Sequence, residues 1–211
     1  MADNYLGKKM EDYARGVTSP RKHTPQLGRL LQKNRSHRAY DTSFRVREDQ
    51  LKRIIAVNRL CPSARNQQVL RFRPVLEDEA DKVLPYIRMG AALPHLHLPE
   101  KGSEPMAFIV VCTQTEPDKY VYTDLGISLQ SMLLQAVEIG LNGICIGAFD
   151  ASALRESLNL PYEPLMVLAV GRGKEDIRLV DISQEQNHSY YRDEQGVHYV
   201  PKLHLDELII K

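Results

Sequence analysis

"YTDLGISLQSMLLQAVEIGLNG", residues 122–143, is the longest apolar stretch with helical character in the chain, and its reading decides the fold class. Thr123 or Asp124 offers an N-cap and Gly140 a stop, since glycine readily takes the left-handed conformation that ends a helix. From Leu129 to Leu141 the residues are apolar on nearly every side, which predicts burial all round, in the centre of the domain or in a subunit interface. "GICIGAF" (143–149) follows as a short strand.

Outward from this pair the same alternation continues. "DASALRESLNL" (150–160) predicts a helix capped by Asp150, and "PLMVLAVGRG" (164–173) and "MAFIVVCTQ" (106–114) predict strands covered on both faces, because their apolar runs are continuous. "RFRPVL" (71–76) is a further strand, "EDEADKVLPYIR" (77–88) a surface helix, and "REDQLKRIIAVNRL" (47–60) a helix with Leu51, Ile54, Ile55 and Val57 at helical spacing. "TPQLGRLLQKN" (24–34) has Thr24 as cap and Pro25 at the first helical position. "SYYRDEQGVHYVPK" (189–202) has the form of a β-hairpin turning at Gly196, and "LHLDELIIK" (203–211) closes the chain as a short helix or strand. Helices gathered before and between a few strands make the class α+β.

The 211 residues suffice for one domain with a true core, and a formal charge of +1 excludes a dedicated binder of nucleic acid or of membrane surfaces. Residues 1–40 hold nine Lys or Arg against three Asp or Glu, yet only Tyr5, Tyr13 and Tyr40 could stack on bases, so a solvated helical arm is expected over 1–24. No apolar run reaches membrane-span length, and Cys61, Cys112 and Cys145 form neither a disulfide framework nor a zinc site, so a cytoplasmic protein is expected. His95 and His97 form H-x-H in a Pro-rich loop without a compelling third ligand, and no metal is expected. The glycines of "GLNGICIG" and "VGRGKED" lack the spacing of a dinucleotide fingerprint.

Two polar stretches follow helices and break this quiet pattern. "NRSHRAYD" (34–41) brings the forks of Arg35 and Arg38 together with the Ser36 hydroxyl, and "CPSARNQQ" (61–68) is a turn of small residues with an amide side chain. Lys202 adds a cation after the hairpin. Either these arginines pair with surface carboxylates, for about 0–1 kcal/mol each, or they meet a phosphate ester through charge-assisted bonds of about 1.5–3 kcal/mol. The residues alone leave both open.

In order, these stretches resemble a known family. "NRSHRAYD" resembles the R-R-S-x-R-x-F/Y signature of nitroreductase-like FMN flavoproteins, "CPSARNQQ" their P-S-x-x-N-x-Q loop, and "DLGISLQSMLLQAVEIGLNGICIGAF" their central helix and G-x-x-x-x-I-G strand. The tail "YYRDEQGVHYVPKLHLDELI" is similar to the C-terminal extension of a bacterial subgroup, so the likeness covers residues 27–211. It implies an α/β/α sandwich with a mostly antiparallel central sheet and a long buried helix: an arm over 1–24, an FMN-binding domain over 25–186, and a C-terminal hairpin and tail over 187–211 contacting a partner subunit. It also implies a homodimer with FMN in the interface.

On that resemblance Arg35, Ser36 and Arg38 hold the phosphate, ribityl chain and pyrimidine edge of FMN, and Lys202 reaches the phosphate. Pro62, Ser63, Ala64 and Asn66 approach the ring from the other subunit, and backbone groups of Ile146, Gly147 and Ala148 lie near N5. The implied activity is a ping-pong transfer of hydride from NADH or NADPH through the flavin to a nitroaromatic, quinone or similar acceptor, with no side chain as catalyst. Flavin-dependent dehydrogenation, flavin modification and a non-catalytic FMN-binding or redox-sensing module are the alternatives. Asn34, Val69, Leu70 and Leu203 depart from the family pattern, and fewer phosphate contacts with weaker FMN affinity are expected from them.

Overall fold

The computed structural model describes residues 26–90, 96 and 98–210. The arm over 1–24, the Thr24 cap with Pro25, and the His95/His97 pair lie outside the described residues. The chain runs α1 (Gln26–Lys33), α2 (Glu48–Ala56), β1 (Leu70–Val75), β2 (Ala107–Thr113), α3 (Lys119–Glu138), β3 (Asn142–Ile146), α4 (Ala151–Ser157), β4 (Glu163–Gly171), β5 (Ile177–Ile182), β6 (Tyr191–Arg192), β7 (His198–Leu203) and α5 (Leu205–Leu208).

Strands β1 to β4 form one antiparallel sheet in the order β1-β2-β4-β3. All seven residues of β2 are buried, as expected for an inner strand covered on both faces. Its side chains alternate between two cores. Ala107, Ile109 and Val111 pack with Leu51 and Ile54 of α2 and with Leu125, Leu129, Met132 and Ala136 of α3. Phe108, Val110 and Cys112 face the opposite layer, with Val83, Leu154, Leu158 and Leu160. That is an α/β/α sandwich, and the α+β class and the fold expected from the sequence hold. Burying one such Val or Leu contributes about 1.5–3 kcal/mol, so the sheet fixes everything attached to its ends.

Three elements differ from expectation. The segment 77–88 forms two 3-10 turns, Glu77–Lys82 and Leu84–Tyr86, instead of a surface helix. Pro85 lacks the N–H that a continuous α-helix would use there, and Ala80 and Val83 are drawn into the core. Helix α3 begins earlier than the sequence implies: Asp118 caps it by accepting the N–H groups of Tyr120 and Val121, while Asp124 lies within the helix and is buried. Its burial is also one-sided within this chain, because Leu134 and Val137 are only half-buried. Gly140 ends the helix at φ 79°, in the left-handed region that a glycine adopts at no steric cost.

The sequence reading assigned no element to 174–186, and the structure forms β5 there. It pairs in parallel with β7, which in turn pairs antiparallel with β6, giving a second sheet in the order β5-β7-β6. This sheet joins a strand of the expected main domain to the hairpin of the expected extension. Among the described residues no helix is long and apolar enough to cross a membrane.

Candidate functional site

Residues 34–41 leave α1 and run along the start of β3, where Ser36 bridges Gly143 in parallel and Tyr40 bridges Gly173. His37 and Tyr40 turn inward and are buried, with the Tyr40 hydroxyl donating to the His37 carbonyl at 2.9 Å. Arg35, Ser36 and Arg38 are thereby left on the other side, lining a cavity of about 360 Å³. Lys202 reaches the same cavity from β7, beside His198 and Val200, because alternate residues of a strand share one face. Its size lies within the range of small-molecule sites, roughly 300–1,000 Å³.

The charge balance of this cavity is its distinguishing property. Three cationic side chains line it, and none of its lining residues is acidic. Several other arginines are paired: Arg45 with Glu77, Arg73 with Glu79, Arg178 with Asp176, Arg192 with Glu175. Among the described residues Arg35, Arg38 and Lys202 make no such pair; the reading in which these arginines meet surface carboxylates does not describe this structure. Arg35 donates to the Leu31 carbonyl at 2.5 Å, Arg38 donates to the Ser36 carbonyl at 3.1 Å, and the Arg38 guanidinium lies 4.7 Å from the Tyr190 ring centroid. The Nε atoms of both arginines are buried without a hydrogen-bond partner. Burial lowers the Arg35 pKa from its ordinary value, which an anionic ligand would offset. An anion with several oxygens, such as a phosphate ester, fits this donor set.

Behind the cations sits a carboxylate that the sequence reading passed over. Glu175 accepts the backbone N–H of Arg38 in a short hydrogen bond and that of Ala39 at 3.1 Å. Its other oxygen is 2.6 Å from Arg192 and 3.5 Å from Nδ1 of His198. Burial alone would raise its pKa; the contact with His198, the two backbone donors and Arg192 together hold it down to about 2. Its local signal is the carboxylate that follows Lys174 in "VGRGKED". Gly173 is required there: a Cβ would stand 2.2 Å from Nδ1 of His37.

The second polar stretch lies elsewhere. Pro62 and Ser63 line a more apolar cavity of about 400 Å³, with Ile55, Phe72, Asp124 and Ser128 among its walls. Ala64 and Asn66 bound a single 3-10 turn in which Arg65 (φ 51°) and Asn66 (φ 54°) take left-handed conformations. Asp124, expected as a cap candidate, instead accepts the Ala64 N–H with both oxygens, at 2.9 and 3.1 Å. A carboxylate inside an otherwise apolar helix was the available signal. Within one chain the two cavities share no lining residue, and their α3 contributions, Gln130 and Leu133 against Asp124 and Ser128, point to different sides of the helix. Ile146 is the buried last residue of β3, and Gly147 and Ala148 beyond it are exposed; these three line neither cavity. The Ala148 carbonyl accepts the Arg88 N–H at 2.8 Å. No cluster of three or more His, Cys, Asp or Glu fit for a metal occurs among the described residues.

A family profile described as "Nitroreductase family" matches residues 31–172, which spans both polar stretches, the sandwich and helix α3. The chain belongs to the nitroreductase family. An Archaeoglobus fulgidus protein named "Putative NADH dehydrogenase/NAD(P)H nitroreductase" is 27% identical over 151 residues, covering 67% of this chain and 80% of that protein. A Methanocaldococcus jannaschii protein named "Putative nitroreductase" is 35% identical over 54 residues, 26% of this chain and only 27% of the relative's length. Among solved structures, a "putative nitroreductase in complex with FMN" from Desulfovibrio desulfuricans superposes with a TM-score of 0.62 at 21% identity, over 88% of this chain and 96% of that one. The family match takes in Arg35, Ser36 and Arg38 of the cation cavity, whereas Lys202 lies beyond it.

Proposed function

We propose that this chain is an FMN-dependent oxidoreductase that passes hydride from NADH or NADPH to a nitroaromatic, quinone or similar acceptor. The observation that carries the reading is the cavity with three cations and no carboxylate, in a chain of this family. Bound FMN would supply the hydride-accepting and hydride-donating centre. Arg35, Ser36, Arg38 and Lys202 would hold its phosphate and polar edge, and the positive charge they bring favours the reduced, anionic form. The relative named for NAD(P)H and the solved structure holding FMN support the choice of cofactor and reductant.

The placement of residues 62–66 supports a homodimer. Within one chain Pro62, Ser63, Ala64 and Asn66 lie away from the cation cavity, so they would complete it only from a second copy. The half-buried apolar face of α3, with Leu134 and Val137, offers such a copy a surface. No side chain is assigned as acid or base, and solvent would supply protons.

The visible spectrum of the purified protein, with mass identification of whatever denaturation releases, tests the cofactor. Expected are a flavin spectrum and FMN. Consumption of NADH or NADPH with a quinone or nitroaromatic acceptor tests the activity, and an FMN-saturated protein that oxidises neither nucleotide with any such acceptor would sink it.

A further inference from the structure

Glu175 does not line the cation cavity, yet it is bonded to the backbone at Arg38 and lies beside the strand that carries Lys202. One oxygen holds the backbone at Arg38 and Ala39, and so sets where the Arg35–Arg38 segment runs. The other holds Arg192 of β6 at 2.6 Å and stands 3.5 Å from His198 of β7. His198 and Lys202 belong to one strand and face the same cavity, four residues apart. The carboxylate therefore stands between two groups of cations that are more than 160 residues apart in sequence, bonded to the backbone of one and beside the strand of the other.

We propose that Glu175 is a positioning residue for phosphate recognition: it holds the Arg35–Arg38 segment and Lys202 in register so that Arg35 and Lys202 meet one phosphate group, without touching the ligand itself. This rests on the reading of the cavity as an FMN site. A negative charge next to an anion site is self-defeating unless it is consumed by other partners. Here it is consumed, by the Arg192 guanidinium and two backbone donors, and its side chain is only 5% exposed. Simple electrostatics and positioning then predict opposite signs. Removing one negative charge would by Coulomb attraction alone tighten anion binding, whereas losing the register would weaken it.

The test compares FMN with riboflavin, which lacks only the phosphate, by fluorescence titration of the apoprotein. The affinity ratio isolates the phosphate contribution from general damage to the flavin site. In the wild type FMN is expected to bind at least tenfold more tightly than riboflavin. In Glu175→Ala that ratio is expected to fall by about tenfold, with riboflavin affinity changed little. Glu175→Gln keeps the shape and one acceptor oxygen, and decides the matter if the alanine variant does not fold: the ratio is expected to fall there too, by a smaller factor. Val75→Ala, in the core and remote from Glu175's partners, is expected to lower Tm without moving the ratio. A ratio that is unchanged or raised in Glu175→Gln overturns the positioning role while leaving the FMN reading intact. A wild type that binds FMN no better than riboflavin overturns both.

Discussion

Residues 34–41 and 61–68 are built from the same elements and do different work. Each is a polar stretch after a helix, and each is fastened by one carboxylate reaching in from a distant part of the chain, Glu175 in one and Asp124 in the other. In the first, the fastening is part of a network: Glu175 also engages Arg192 and approaches His37 and His198, and the backbone bridges β3 at Ser36. The stretch is pulled flat against the sheet, and its cations are left standing over a cavity. In the second, Asp124 holds a single N–H, and the rest of the loop satisfies itself through a 3-10 turn and three positive-φ residues, Arg65, Asn66 and Gln68. A network fixes the backbone beneath the cations, whereas a lone tether leaves Asn66, Gln67 and Gln68 exposed.

Acid should break the first fastening most severely. The partners of Glu175 hold its pKa at about 2 against an ordinary 4.5, so between those values the native state binds fewer protons than the unfolded chain. Its contribution is fully present above about pH 4.5 and is lost as pH falls towards 2, on the order of 3 kcal/mol over the whole range. His37 works in the same direction at higher pH, since burial lowers its pKa below 6.5 despite the nearby Glu175 charge. Urea denaturation at a series of pH values should show stability declining from below pH 6.5 and more steeply below 4.5. Glu175→Gln should flatten the lower limb. An unchanged acid limb in that variant would mean that Glu175 is not the group being titrated.

Crowding is the next largest lever. Gly173→Ala places a Cβ 2.2 Å from Nδ1 of the buried His37 ring, the nitrogen that Glu175 approaches at 3.9 Å. The expected loss is about 3 kcal/mol, at the upper end for overpacking, read as a lowered urea midpoint with unchanged slope. For the tether of the other loop the expected loss is smaller. Asp124→Ala leaves the Ala64 N–H without its acceptor and should cost about 1–2 kcal/mol, while Asp124→Asn, which keeps one carbonyl oxygen, should cost less than half of that. Equal losses in the two variants would show that the charge, and not the hydrogen bond, holds the loop.

The sandwich was legible because its strands are continuous apolar runs and α3 is long, both of which are local properties. Arg35, Ser36, Arg38 and Lys202 were legible for a second reason: their residue types and order follow a family pattern, and the structure brings all four to one cavity. Glu175 and Asp124 were not. Their roles depend on partners 136–137 and 60 residues away, and nothing local distinguishes a carboxylate that accepts a distant N–H from one that caps a helix or faces solvent. The second sheet escaped for the same reason. "IRLVDI" alternates too weakly to stand out alone, and becomes a strand because β7 returns to pair with it.

The smallest expected effect bears on whether the 61–68 loop is shaped by strain or by contacts. Arg65 sits at φ 51° and ψ 20°, a region that costs a non-glycine residue about 1 kcal/mol. Glycine would remove that strain, at the expense of about 0.5–1 kcal/mol of added freedom in the unfolded chain. The Arg65 guanidinium also lies 5.6 Å from the Tyr120 ring centroid, an exposed contact of about 0.5 kcal/mol that glycine would forfeit. These contributions nearly cancel, so Arg65→Gly should change folding stability by no more than about 0.5 kcal/mol in either direction. A loss well above that would mean that the side chain itself holds the turn, and the contrast with the networked segment at 34–41 would shrink accordingly.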